Sequence, residues 1–163
     1  MQQEYKYCHR CGDTLKIEFV NGDDRPQCPS CGLVVYLDPK LAAVVLVSHD
    51  NELLFVRRAI EPMLGRWSFP SGYVDRGEIV EHAAVREVWE ETNLNVEVTG
   101  LIGVYSSNEN PVVLISYAAR VVGGELRAGE EAQDVRFFTV SALPDLPFPH
   151  DDEIMEDWCR RFR

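Results

Sequence analysis

Hydrophobic and polar positions change period several times along the chain, and each change marks an element. Leu41 to Val47 is a continuous apolar run, the pattern of a strand buried on both faces. His49-Asp50-Asn51-Glu52 turns it, and Leu53 to Arg57 returns as a second strand. From Glu78 to Thr92 there is no Gly or Pro, and Val80, Ala83, Ala84 and Val88 recur at helical spacing as an inward stripe. Val96 to Val98, Leu101 to Tyr105, Val112 to Arg120 and Val135 to Val140 are β-rich, with Gly or Pro between them, and Gly123-Gly124 reads as a turn. Asp151-Asp152 starts a closing helix on which Ile154, Trp158 and Phe162 share one face. Strands on either side of a helix, then a terminal helix, predict an α/β protein built as an α/β/α sandwich on a mixed sheet.

The polar face of the predicted helix carries the chemistry. Glu87, Glu90 and Glu91 lie three and four positions apart, so their carboxylates emerge along one edge beside the apolar stripe. Three like charges so close repel one another, and Arg86 is the sole cation in that turn, within reach of Glu90. A hard divalent cation such as Mg²⁺ removes the conflict, because it takes carboxylate oxygens and water together. Pro70-Ser71-Gly72, just before, lets the backbone turn tightly and approach whatever the carboxylates hold.

The stretch Gly72 to Leu94, GYVDRGEIVEHAAVREVWEETNL, resembles the signature of the Nudix hydrolases, G-x5-E-x7-R-E-U-x-E-E-x-G-U with U aliphatic. Gly72, Glu78, Arg86, Glu87, Glu90 and Glu91 match, and Val88 and Leu94 fill the aliphatic positions. Asn93 stands where the signature has Gly; a left-handed backbone there suits Asn better than any other residue with a side chain. The resemblance implies the Nudix fold and cleavage of a nucleoside diphosphate derivative with a divalent cation, Mg²⁺ or Mn²⁺. It implies Glu87, Glu90, Glu91 and the Ser71 carbonyl as ligands, with Glu90 also a candidate water activator. It further implies that Arg86 holds the carboxylates in place, that Glu78 acts in catalysis from the start of the helix, and that Gly72 and Arg58 lie against the substrate. A further ligand is usual on the loop before the last strand, and aligning Phe137 with the usual aromatic puts Glu131 there; a solvated loop is the alternative. Trp67, in Gly65-Arg66-Trp67-Ser68-Phe69-Pro70, reads as core before substrate contact.

Ahead of this lies a different pattern. Cys8-x-x-Cys11-Gly and Cys28-Pro-Ser-Cys31-Gly form two knuckles, with a short strand, Leu15 to Phe19, and an Asn21-Gly22 turn between them. The spacing aims four thiolates at one tetrahedral centre, and with no open position for water the metal would be structural. The pattern resembles a zinc ribbon holding Zn²⁺; two disulfides or free thiols are the alternatives. Cys159, with no knuckle, is a plain thiol. The expected division is 1–36 for the ribbon and 37–163 for the Nudix domain.

Composition narrows the partners. The chain has 163 residues and a formal net charge of -11. Through Tyr36 there are four Lys/Arg against five Asp/Glu, and afterwards twelve against twenty-two, so neither part offers a basic footprint for nucleic acid. No apolar run approaches the ~20 residues that span a bilayer, and Met1-Gln2-Gln3-Glu4 begins nothing like a signal peptide, so a cytoplasmic protein is expected. A ribbon joined to a Nudix domain resembles the NADH pyrophosphatases, which carry a substrate-contacting Tyr five residues after the last knuckle cysteine, here Tyr36. Their S-Q-P-W-rich segment has no counterpart in Tyr105 to Pro111. The plant FAD and ADP-ribose pyrophosphatases fit better, which sets ADP-ribose and FAD ahead of NADH as substrate, and related ADP-ribose enzymes make a homodimer an expectation. Tyr36 has two readings, a stack on adenine or packing of the ribbon. A nucleotide-sensing regulator that binds without cleaving, its ribbon touching a partner, is the alternative function.

Overall fold

The computed structural model describes residues 5–108 and 110–163, so the opening Met1-Gln2-Gln3-Glu4 and Glu109 lie outside the described residues. Contacts divide the chain at Asp38/Pro39, two residues beyond the expected boundary.

The first unit is two copies of one small device. Cys8 and Cys28 each open a tight turn, with Gly12 N–H donating to Cys8 O at 2.8 Å and Gly32 N–H to Cys28 O at 2.9 Å. Gly12 and Gly32 sit at φ +78° and +71°, where a side chain would be strained. Between the turns runs a hairpin, β1 (Lys16–Val20) on β2 (Asp23–Gln27), with the expected Asn21-Gly22 bend. The second strand, charged and carrying Pro26, was not evident from the sequence. The core here is Cys8, Leu15, Cys28 and Val35, with Leu33 and Cys31 against it.

In the second unit β3 (Lys40–His49) and β4 (Glu52–Arg58) form the expected hairpin, turned by Asp50 and Asn51 in left-handed conformation. They pair with each other only at Ser48–Leu53 and His49–Glu52, then part. The gap is filled by the next segment, β5 (Trp67–Ser68) pairing with β4 and β6 (Ser71–Tyr73) with β3. Beyond α1 (Val80–Thr92) come β7 (Leu94–Ser107), β8 (Asn110–Gly124), β9 (Ala132–Thr139) and α2 (Asp151–Phe162). The order β5-β4-β3-β8-β7, with β6 on β3 and β9 on β4, is a mixed sheet, parallel at β3–β8 and antiparallel elsewhere.

Alternation along β3 makes the sandwich. Ala43, Val45 and Val47 pack with Leu54, Tyr117 and Ala119 beneath Ala84 and Val88 of α1. Val44 and Leu46 face the other way, with Leu53, Phe55, Phe69 and Ile102, onto Ile154, Met155 and Trp158 of α2. Trp67 packs against this second layer, edge-on to Phe138 at 5.1 Å, as expected of a core residue, and Cys159 is partly buried against it.

Three expectations need correction. The helix starts at Val80, two residues after Glu78, because Glu78 is drawn into a turn with Asp75. Val96–Val98 and Leu101–Tyr105 belong to one strand, β7, kept continuous across Gly100 and Gly103 by register shifts. Aromatic rings take the space those glycines leave: Phe162 lies over Gly100 and Tyr105 over Gly103. Gly123-Gly124 is no turn but the end of β8, paired with Asn95 and Leu94.

Candidate functional site

The parted β3–β4 hairpin sets the floor of the site. Because β6 rides on β3, Ser71 and Gly72 lie directly under the polar edge of α1, and Ser71 N–H donates to Glu91 Oε2 at 3.0 Å. A Cβ on Gly72 would overlap the Glu87 carboxylate, so only glycine admits that group at this depth. At the other end of α1, Asn93 takes the left-handed conformation (φ 57°) and its side chain donates to Glu125 O at 2.8 Å.

Arg86 spends its guanidinium on this edge. Nε and Nη2 form a fork with the two oxygens of Glu78 at 2.9 and 3.0 Å. Nη1 donates to Glu87 Oε1 at 2.7 Å and Glu90 Oε2 at 3.0 Å, while Nη2 also reaches Tyr73 O at 3.1 Å. The fork with Arg86, and then the Asp75 amide, hold the Glu78 carboxyl down to about 2. Glu87 moves the opposite way: burial raises it, outweighing Arg86. Burial pushes Glu91 up to about 8; the Ser71 amide lowers it and the charge on Glu87 raises it again. A carboxylate only 7% exposed, with one amide for a partner and like charges around it, is a place for a cation.

The edge opens into a cavity of about 1490 Å³ whose lining includes Ser71, Gly72, Glu87, Glu90, Glu91 and Glu131. Glu131 reaches it on the loop before β9, where its backbone O accepts from Ala59 N–H at 2.8 Å, and its charge is felt by both Glu87 and Glu91. The structure thus brings Glu87, Glu90, Glu91 and Glu131 to one cavity, whereas Glu78 is not on its lining and meets it only through Arg86. Those four share it at wider spacing than the cysteines, which are the one group of potential ligands among the described residues whose donor atoms all lie within 4.8 Å. Arg58 lines the same cavity; Nε donates to Pro62 O at 2.7 Å and its guanidinium carbon lies 5.4 Å from the centre of the Phe148 ring.

Two parts of this wall escaped the sequence reading. Gly129 N–H donates to Glu91 O at 2.9 Å and Arg127 N–H to Thr92 O at 3.0 Å, so the loop carrying Glu131 caps the carbonyl end of α1. A Cβ on Gly129 would run into Glu90 O; its place just before Glu130-Glu131 was the only signal. The second is the segment Phe148 to Asp151, at the start of α2, which no motif marks.

In the first unit the four knuckle cysteines form no disulfide, with Cys8 and Cys31 sulfurs 3.6 Å apart and Cys11 and Cys28 3.4 Å apart. A disulfide needs about 2.0 Å, whereas a tetrahedral Zn²⁺ with Zn–S near 2.3 Å spaces its sulfurs about 3.8 Å apart. The donor set therefore fits a closed four-thiolate centre, and Arg10 N–H at 3.4 Å from Cys8 Sγ is the kind of amide contact that steadies one. Tyr36 is half exposed in this unit, its hydroxyl accepting from Asn21 Nδ2 at 3.1 Å and the Arg25 guanidinium 4.8 Å above its ring.

Among the described residues no helix is long and apolar enough to cross a membrane. A protein of Methanocaldococcus jannaschii named ADP-ribose pyrophosphatase is 40% identical over 130 residues, covering 77% of this chain and 76% of that protein. The NAD-capped RNA hydrolase NudC of Chromobacterium violaceum is 33% identical over 148 residues, 89% of this chain but 54% of that one, so the chain spans about half the length of this relative. That name touches RNA, which the charge balance had set aside. A crystal structure of a Nudix hydrolase from Nitrosomonas europaea superposes with a TM-score of 0.90 at 28% identity, covering 97% of this chain and 92% of the other. The NUDIX domain family model matches residues 38–159, and with the signature edge of α1 in its place over Ser71 and Gly72, the chain belongs to the Nudix hydrolase family.

Proposed function

We propose that this hydrolase cleaves the pyrophosphate of an ADP-linked nucleotide, ADP-ribose before FAD and NADH, and releases AMP. The observation that carries the reading is the buried Glu91 carboxylate, flanked by Glu87 and Glu131 at the floor of a cavity roomy enough for a dinucleotide. The 40% identical ADP-ribose pyrophosphatase supports ADP-ribose as the first substrate to try. In the reaction water adds to one phosphorus, the bridging P–O bond breaks, and ADP-ribose yields AMP and ribose 5-phosphate.

Glu87, Glu90 and Glu91, with the Ser71 carbonyl and Glu131, would hold Mg²⁺ or Mn²⁺. Such a cation neutralises phosphate oxygens and lowers the pKa of bound water. The chain's own work is orientation. Arg86 gives its donors to Glu78, Glu87, Glu90 and Tyr73 O, so it fixes the edge and has nothing left for substrate. Arg58 and Arg127 both line the wall with no carboxylate within ion-pair distance among the described residues, and Arg58, whose charge Glu91 feels, is the one suited to a phosphate oxygen. Zn²⁺ is read as the structural ion of the first unit, and the active species as a homodimer in the cytoplasm.

The test is AMP release from ADP-ribose, FAD and NADH, and release of nicotinamide mononucleotide from a short NAD-capped RNA, whose adenylate stays on the RNA as a 5′-monophosphate, each with Mg²⁺ and with chelator. ADP-ribose should be turned over fastest and only with the cation. Absence of these products from all four would overturn the function; preference for the capped RNA would overturn the small-molecule substrate.

A further inference from the structure

We propose that Asp151 is a specificity-determining residue whose carboxylate accepts hydrogen bonds from the hydroxyls of a ribose joined to the scissile pyrophosphate. The inference rests on the pyrophosphatase reading of the cavity and names the part of the substrate that one wall recognises.

Asp151 begins α2 and is only 5% exposed, yet it lines the cavity. Its Oδ2 accepts from Phe148 N–H at 2.9 Å. Among the described residues no donor lies within hydrogen-bonding distance of Oδ1, and the charges it feels are those of Asp152 and His150. His150 is engaged elsewhere, its Nδ1 3.1 Å from Glu153 Oε2 and its ring against Tyr105. Burial raises the Asp151 pKa to about 6, so the group is largely ionised at neutral pH, with one oxygen lacking a partner. Oδ1 is not among the buried atoms left without a partner, so it keeps its opening to the cavity and is available to a donor bound there. Oδ2 closes the turn that leads into α2, which no side chain caps, and leaves the other oxygen unexplained.

The position along the wall identifies the ligand group. Glu91 feels the charge of Arg58, Arg58 lies over the Phe148 ring, and Phe148 N–H is bound by Asp151. Acidic edge, Arg58, Phe148 and Asp151 thus follow one another. In a nucleoside diphosphate the pyrophosphate is followed directly by ribose on the same path. A carboxylate repels phosphate and requires donors, and ribose hydroxyls are the donors next in line, as carboxylates elsewhere take ribose hydroxyls of dinucleotides.

The experiment is a cycle of substrate and mutant. Asp151→Asn keeps an oxygen for Phe148 N–H and removes the charge; Asp151→Ala removes the group, and a melting curve for each separates misfolding from recognition. KM and kcat are measured for ADP-ribose, for its 2′-deoxyadenosine analogue and for its 2″-deoxyribose analogue. Asp151→Asn should raise KM for ADP-ribose about tenfold, with the effect in KM rather than kcat. For one deoxy analogue the parent should show the raised KM already and the mutation should add little, which also tells which ribose is held. An unchanged KM, or an equal rise on all three substrates, overturns the proposal. If the parent makes no AMP from ADP-ribose, the functional reading fails and takes this inference with it; turnover with additive effects refutes Asp151 alone.

Discussion

The two units hold themselves together in opposite ways. In Met1–Asp38 the apolar core is four residues, two of them the cysteines themselves, so the thiolate cluster and the fold are one thing. In Pro39–Arg163 two apolar layers grip the sheet, and the acidic edge of α1 is a burden that those layers carry. Removing the polar atoms should therefore unmake the first unit and relieve the second.

The largest effect is expected where site and fold coincide. A structural zinc in such a site contributes about 10 kcal/mol or more to folding. Stripping the metal at neutral pH should abolish amide-exchange protection across β1 and β2, while Ala43 to Val47 of β3 stay protected. Retained protection in the hairpin after chelation, with no zinc found by elemental analysis, would put the thiolate unit in the same class as its neighbour.

Next is Glu91→Gln, which keeps shape and removes charge. Turnover should fall on the order of a thousandfold, as when a charge-stabilising group is lost. Stability should move the other way. With its folded pKa raised to about 8, Glu91 favours the native state fully below its unfolded value of 4.5, and that contribution is lost as pH rises through 8. Without divalent cation at pH 9, the Gln variant should melt a few degrees higher than the parent. A variant that melts lower there would show that this carboxylate supports its fold after all.

The smallest effect concerns Glu78, whose sign is opposite. Its pKa is held down to about 2, so it stabilises above 4.5 and that contribution is lost as pH falls through about 2. The parent's melting temperature should decline across that window more steeply than that of Glu78→Gln. Parallel curves would mean the Arg86 fork is equally strong in the unfolded chain.

Much of this was legible from local pattern. The apolar run of β3, the Ala83-Ala84-Val88 stripe of α1 and the knuckle cysteines are short-range signals, and each landed where its period put it. What was not legible depends on distant partners. Gly100 and Gly103 look like breaks until Phe162 and Tyr105 are seen filling them. Gly129 looks like an ordinary loop glycine until it meets Glu90 O, and Asp151 like a helix start until its unpaired oxygen is found beside a cavity. The charges of Glu78 and Glu91 were visible, but not that burial and Arg86 drive them in opposite directions.

The parallel pairing of β3 with β8 bears on how the chain acquires its shape. It joins Lys40 to Val112 and Ser48 to Arg120, contacts far apart in sequence, whereas β7 and β8 are neighbours along the chain. Closing long loops is slow relative to zipping local hairpins. On a ribosome, the signature helix therefore emerges well before the strand that locks β3, and with it Ser71 and Gly72, into the sheet. A nascent chain halted before Asn110 should carry the complete signature and yet lack a finished floor beneath it.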